Sequence, residues 1–325
     1  MNGATYLSRF KELRALVVGD LMLDEYIFGQ ATRISQEAPV MVIKQNRVSS
    51  VPGGAANVSM NMMAFGAASG VIGVVGQDSA GDTLVGALKM SGAGPVEILR
   101  DSSRPTTRKT RVLANHSHQV LRIDHEVERP LSDELEAQLL NLVAECAKSS
   151  QVVLLSDYQK GTIPGPVIKK VVQIGKELGI PVVANAKPGS AHFYKGASVV
   201  SLNRFEASAA IGSHQPIVDT EAPEIAKRLR EQLEIESLVV TLGGSGMVAA
   251  SSAGVFQVPA VKVEVYDEAG AGDTVIGTLA LCAAFGPIDE TCLRLATHTA
   301  AAVVRKVGVA VPREDDLREI ARTLS

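Results

Sequence analysis

Six short β-branched runs, each followed by a stretch of helical period, constrain this chain more than any other feature. They are "ALVVGD" (15–20), "SGVIGVVG" (69–76), "QVVLLSD" (151–157), "IPVVANA" (180–186), "ASVVSLN" (197–203) and "SLVVTLG" (237–243). Continuous apolar runs bounded by Gly, Asp or Asn suit strands covered on both faces, the environment of a parallel sheet. Between them, "AANVSMNMMAFG", "GDTLVGALKMSG", "LEAQLLNLVAECAKS", "IPGPVIKKVVQIGKELG" and "EAPEIAKRLREQL" read as helices. The alternation predicts an α/β fold with a doubly wound, mostly parallel sheet and helices on both sides. Ligands of such folds gather at the carboxyl ends of strands. Asp20, Asp157, Asn185, Asn203 and Thr241 all fall there.

Two segments break this rhythm. Residues 24–50 and 105–125 alternate apolar and polar residues and carry no helical period. They read as antiparallel strands solvated on one face, which predicts a small antiparallel β lid lying over the main domain. At 325 residues, with 46% hydrophobic and 21% charged, the chain can bury one large core, and residues 1–325 are expected to form a single domain carrying the lid. A net charge of −3 argues against a nucleic-acid partner. Cys146, Cys282 and Cys292 show neither metal-ligand spacing nor a disulfide framework and read as buried thiols. "MNGATYLSRFKELR" has no signal-like apolar block, and no apolar run reaches membrane-spanning length. The expectation is a cytoplasmic protein with no membrane contact.

Several motifs carry candidate chemistry, and each has an ordinary structural reading beside the functional one. In "YDEAGAGDTVIGTLALCAAF" (266–285) small residues at Gly270, Ala271 and Gly272 would let amides converge on an anion at a helix N-terminus. Asp273 would then stand in the first turn, where it could take a proton; equally, it could simply cap the helix. In "VPGGAANVSMNMMAFG" (51–66), Gly53 and Gly54 allow close backbone approach and Asn57 offers a donor and an acceptor to a hydroxylated ligand, or caps a turn. "VVGDLMLDEY" places Asp20 and Asp24 around a bend, where their carboxylates could accept sugar hydroxyls or stay in water. Alternation puts Lys109 and Arg111 on one lid face, with Arg122 nearby, to clamp an anionic group or to decorate an edge. "SDYQKG" contributes Asp157 and Lys160, and "TLGGSG" contributes Thr241, Gly243 and Gly246. Asn203 and Glu206, three apart, could order magnesium and water near phosphates.

Together these stretches resemble the ribokinase-like (PfkB) carbohydrate kinases. The double signature "PGGAANVSMNMMAFGA" and "GAGDTVIG" stands in that family's order and spacing, and the resemblance spans nearly the whole chain. It implies that Asp273 is the catalytic base and that the amides around Gly270, Ala271 and Gly272 stabilise the phosphoryl group in transfer. It further implies that Asp20, Asp24, Gly53, Gly54 and Asn57 hold a sugar, while Lys187, Thr241, Asn203 and Glu206 serve ATP and Mg²⁺. Families of this kind use the lid to close the site and to clasp a homodimer.

Within the family, "RISQEAPV", "PGGAANV", "SDYQKG", "TTRKTRVL", "LRIDHE" and "VYDEAGAGDTVIG" look like kinases acting at C1 of D-glycero-β-D-manno-heptose 7-phosphate in lipopolysaccharide synthesis. That likeness implies a phosphorylated acceptor met by Lys109, Arg111 and Arg122. Some relatives carry a fused nucleotidyltransferase domain, for which 325 residues are expected to leave no room. The chain departs from the family pattern on the nucleotide side. Glu268 and Ala269 precede the glycine turn where Thr is usual next to it, Asn185-Ala186-Lys187 replaces Asp-Pro-Lys, and Leu202 replaces Pro. Two alternatives follow: a related kinase with another acceptor, or a sugar-phosphate binder with a weakened nucleotide half.

Overall fold

All six predicted strands are present, and seven more join them. The computed structural model describes residues 1–115 and 118–325, so positions 116 and 117 of the expected lid segment 105–125 lie outside the described residues. In chain order the strands are β1 (Arg14–Gly19), β2 (Leu21–Ile34), β3 (Met41–Gly54), β4 (Ala68–Gly76), β5 (Val96–Asp101), β6 (Thr107–Ala114) and β7 (His118–His125). They continue as β8 (Val152–Ser156), β9 (Val182–Asn185), β10 (Val199–Asn203), β11 (Ser237–Thr241), β12 (Met247–Ser251) and β13 (Gly254–Val258).

Nine of them form one sheet in the order β13-β12-β11-β10-β9-β8-β1-β4-β5. From β11 to β5 every pair is parallel; β12 and β13 close one edge antiparallel. Side-chain alternation sorts the apolar residues of each strand into two cores. Leu16, Val18, Val153 and Leu155 point toward the helices Asp133–Ala147, Gly165–Leu178 and Ala222–Leu233. Val17 and Leu154 point the other way, toward the helices Ala55–Ala64, Ala271–Ala283 and Glu290–Val304. This two-sided burial is why the strands read so plainly. The short strands β5, β12 and β13 were not foreseen; β5 and β13 are the sheet's two edges, where side chains are less covered and the apolar signal is diluted, while β12 is fully buried but only five residues long.

The remaining four strands form the small sheet, ordered β3-β2-β6-β7. Its two hairpins, β2–β3 and β6–β7, are antiparallel as expected, but β2 and β6 run parallel where they meet. The chain leaves β3 for the main sheet and returns in β6 along the same direction, a crossover that a local alternation pattern cannot reveal. Register places Asp24 and Tyr26 of β2 beside Lys109 and Arg111 of β6, all on one face. Asp24 therefore sits inside a strand rather than at the expected bend.

Asp20 is the single residue between β1 and β2 and is 1% exposed. Its carboxylate accepts the backbone N–H groups of Tyr158 (2.8 Å), Lys160 (3.0 Å) and Thr162 (3.1 Å). Both oxygens are thus engaged by the loop after β8, so the structure employs Asp20 as a fastener for that loop rather than as the sugar contact expected. Asp20→Ala strands three amides, each costing ~1–3 kcal/mol when left unpaired in the interior. The expected loss in equilibrium urea unfolding is about 3 kcal/mol, and a change below about 0.5 kcal/mol would refute this role.

Candidate active site

Asp273 stands in the first turn of the helix Ala271–Ala283 and is 5% exposed. One carboxylate oxygen accepts Asn57 Nδ2 at 2.7 Å, and the other accepts the hydroxyl of Tyr158. Burial pushes the Asp273 carboxyl up to about 6, with the Asp24 charge adding to the rise, while the Tyr158 and Asn57 bonds and the Lys187 charge pull it down. Asn57 is fixed in turn: Asn61 Nδ2 donates to the side-chain Oδ1 of Asn57 at 3.2 Å, and Thr274 donates to Asn61 at 2.7 Å. Gly270 adopts φ +82, and a Cβ there would lie 2.9 Å from Asn57 Nδ2, so the glycine serves both the turn and this contact. The Ala271 N–H turns back onto the Glu268 carbonyl at 3.2 Å. The amides of Gly272 and Asp273, in the first helical turn, remain open toward an anion.

On the lid side, Asp24 is buried and ion-paired with Arg111, whose guanidinium also lies 5.5 Å from the Tyr26 ring. Gly53 packs against that carboxylate: a Cβ would come within 2.0 Å of Asp24 Oδ2. Gly54, at φ +58, hands the chain from β3 to the helix Ala55–Ala64 beside the Asp20 carbonyl. Lys109 Nζ lies 5.9 Å from the Tyr158 ring, and among the described residues it has no carboxylate partner. Arg122 is half-exposed and paired with Asp124 at 2.9 Å, so of the three expected lid cations Lys109 alone stands without an acid. Lys160 is bound by Glu126 at 2.8 Å and by Glu128, and its role is to tie the lid's return segment to the loop after β8. Asp157 is buried, accepts Ser190 Oγ and the Gln159 amide, and has its carboxyl raised by that burial. Neither residue presents a free group to a sugar.

On the other side of Asp273 a cavity of about 260 Å³ opens at the end of β11. Thr241, Gly243 and Gly246 line it together with Ala271 and Gly272, so three of the expected nucleotide-side residues share one cleft with the glycine turn, whereas Lys187, Asn203 and Glu206 do not line it. Its far wall, from Ala260, Val261, Val263 and Val265 and from Ala300, Ala301 and Val304, is apolar and was not foreseen, because it mixes an irregular segment with one face of a helix. Glu268 lies exposed on the rim, where water screens it. Lys187 Nζ pairs with Glu206 at 2.5 Å and lies 5.5 Å from the Tyr158 ring. Asn203 and Glu206 form a capping box: the Asn203 side chain accepts the Phe205 and Glu206 amides, and Glu206 accepts the Asn203 N–H at 2.7 Å. Among the described residues no group of three or more His, Cys, Asp or Glu is arranged to hold a metal ion. Tyr158 is the residue the sequence reading passed over. The signal was an aromatic inside an otherwise polar loop at a strand end.

Residues 13–316 match the model of the pfkB family carbohydrate kinases. The bifunctional protein HldE of Bradyrhizobium diazoefficiens is 40% identical over 309 residues, covering 93% of this chain and 62% of that protein. HldE of Syntrophotalea carbinolica is 38% identical over 321 residues, covering 98% and 65%. The chain thus spans less than two thirds of the length of these relatives. In fold it is similar to phosphofructokinase-2 of Escherichia coli, with a TM-score of 0.80 at 18% identity over 96% of this chain and 99% of that one. A ribokinase of Arabidopsis thaliana, solved with ribose and ATP, superposes with a TM-score of 0.73 at 19% identity over 95% and 99%. With its doubly wound sheet, its small lid and the glycine turn that presents Asp273, the chain belongs to the pfkB family of carbohydrate kinases.

Proposed function

We propose that the chain transfers the γ-phosphoryl group of ATP to a hydroxyl of a sugar that already carries a phosphate, namely C1 of D-glycero-β-D-manno-heptose 7-phosphate. The observation that carries the chemistry is the buried Asp273 carboxylate, set between the lid's polar face and the cleft at the end of β11. As the acceptor oxygen attacks phosphorus, Asp273 takes its proton, and the open amides of Gly272 and Asp273 face the charge on the phosphoryl oxygens. Asp24, aligned by Arg111, and Asn57 are the polar groups that would orient the sugar. The apolar cleft suits a nucleobase, and most of the rate would come from positioning and electrostatics in a closed site.

Sugar kinases of this fold use ATP, typically with Mg²⁺. That ion neutralises phosphate charge when bound. Asn203 and Glu206 are the side chains that would meet it, and because the capping box and Lys187 already engage their oxygens, contact through water fits them better than direct ligation. A phosphorylated acceptor is supported by Lys109, which shares the Asp24 face of the lid and among the described residues pairs with no carboxylate. The heptose is supported by the stretches that look like heptose 7-phosphate kinases and by the relatedness to HldE. No helix among the described residues is long and apolar enough to cross a membrane.

The lid's outer face supports a homodimer. Val48, Leu121 and Ile123, each about half exposed, lie with Ile27 and Val112 on the face turned away from Asp24 and Lys109. A contiguous exposed apolar patch of this kind marks an interface.

An assay of ADP release should give the highest kcat/KM with heptose 7-phosphate, above fructose 6-phosphate, ribose and adenosine; a flat panel removes the heptose reading. Asp273→Asn should lower kcat by about 10³-fold. Because the base must be ionised, wild-type activity should be full above, and lost as pH falls through, about 6; a profile level across that value would remove Asp273 from the role. Lys109→Ala should raise KM for the phosphorylated sugar by about tenfold while leaving the KM for unphosphorylated heptose unchanged, an equal loss on both refuting a phosphate contact. Leu121→Asp combined with Ile123→Asp should halve the mass measured by light scattering, and an unaltered mass would exclude the lid as the interface.

A further inference from the structure

Tyr158 has no part in the chemistry set out so far, yet the base, the lid and the nucleotide side all meet on it. Its amide is fastened to Asp20, which fixes the backbone two residues beyond β8. Its hydroxyl donates to one oxygen of Asp273 while Asn57 donates to the other. Burial and the neighbouring carboxylates of Asp273, Asp24 and Asp20 hold the phenol well above its ordinary range, so it stays protonated and acts as the donor. Its ring lies near two ammonium groups, Lys109 from the lid at 5.9 Å and Lys187 from the nucleotide side at 5.5 Å.

A carboxylate turns about a broad, soft torsion, so one donor leaves it free to swing. Two donors, one on each oxygen, set its plane and decide which lone pairs remain for an acceptor hydroxyl. We propose that Tyr158 is a positioning residue for the phosphoryl transfer: its hydroxyl holds the Asp273 carboxylate in the orientation that receives the acceptor's proton. This rests on the reading of Asp273 as the base. The charged and titratable groups around Asp273 are Asp24 on β2, Lys187 after β9 and Tyr158 itself, with Asp20 and Lys109 beside the tyrosine and Arg111 neutralising Asp24.

Tyr158→Phe keeps the ring and removes only the donor. With ATP and heptose 7-phosphate, kcat near neutral pH should fall by about tenfold or more, while both KM values stay within about twofold. The acid limb of the kcat profile should move up by about one pH unit, because a donor that favours the charged form has been lost. Carbon-13 NMR of the substrate-free protein, with the Asp273 carboxyl assigned by its loss in Asp273→Asn, should show the same upward move. A fluorinated tyrosine at position 158, a stronger donor of nearly the same shape, should move both readouts down instead. Unmoved limbs and unmoved carbon titrations in these variants would overturn the inference, as would a loss of kcat with no change in profile. Wild-type turnover by Asp273→Asn would overturn the base assignment instead, and the substrate-free titration tells that failure apart from the first.

Discussion

A single carboxylate, buried at the N-terminus of a helix, is the constraint around which this molecule is organised. Burying an ionised group costs several kcal/mol unless hydrogen bonds and nearby dipoles replace its water. Asp273 receives two side-chain donors and the field of the helix Ala271–Ala283. Each donor has its own support. Asn57 is held by Asn61 and, through it, by Thr274, one turn residue from the carboxylate itself. Tyr158 is held by Asp20 from the junction of the two sheets. The stretches that look like separate motifs along the chain are one polar network, closed over four segments that are far apart in sequence.

The charges nearby are matched with similar care. Arg111 answers Asp24, Lys187 answers Glu206, and Lys160 answers Glu126 and Glu128. Such partly buried pairs gain little net stability, since desolvation offsets most of the attraction. Their value lies in geometry, because each holds a long side chain in one place at the edge of a cleft. Lys109, which pairs with no carboxylate among the described residues, contributes a positive charge on the face over Asp273, where an anionic ligand would be steered.

Much of the fold was legible because strands such as "VVLLS" are covered on both faces and leave no room for polar residues. The glycine turn and Asn57 were legible for a similar reason: small residues and a buried amide in tandem have few other uses. The parallel seam between β2 and β6 was not, since it is decided by where a distant crossover returns. Nor could the sequence separate Asp20 from Asp24. Both are buried acids near one strand end, yet one faces backbone amides and the other a guanidinium. Lys160 and Asp157 drew attention as polar residues at a strand end, whereas their partners, Glu126 and Ser190, stand some thirty residues away. Tyr158 escaped notice because an aromatic in a polar loop ordinarily means packing.

The direct passage from β1 into β2 has a mechanical consequence. With only Asp20 between them, the small sheet is not a flap on a tether but a cantilever that springs from β1, the third strand from one edge of the large one. Its root is pinned by three amides, so its stiffness is set at that point and its freedom grows toward the tip near Ile34 and Met41. Bending of such a beam displaces Asp24, close to the root, far less than it displaces the outer hairpin. Near and far lengths of the same strand thereby differ in how firmly they are held.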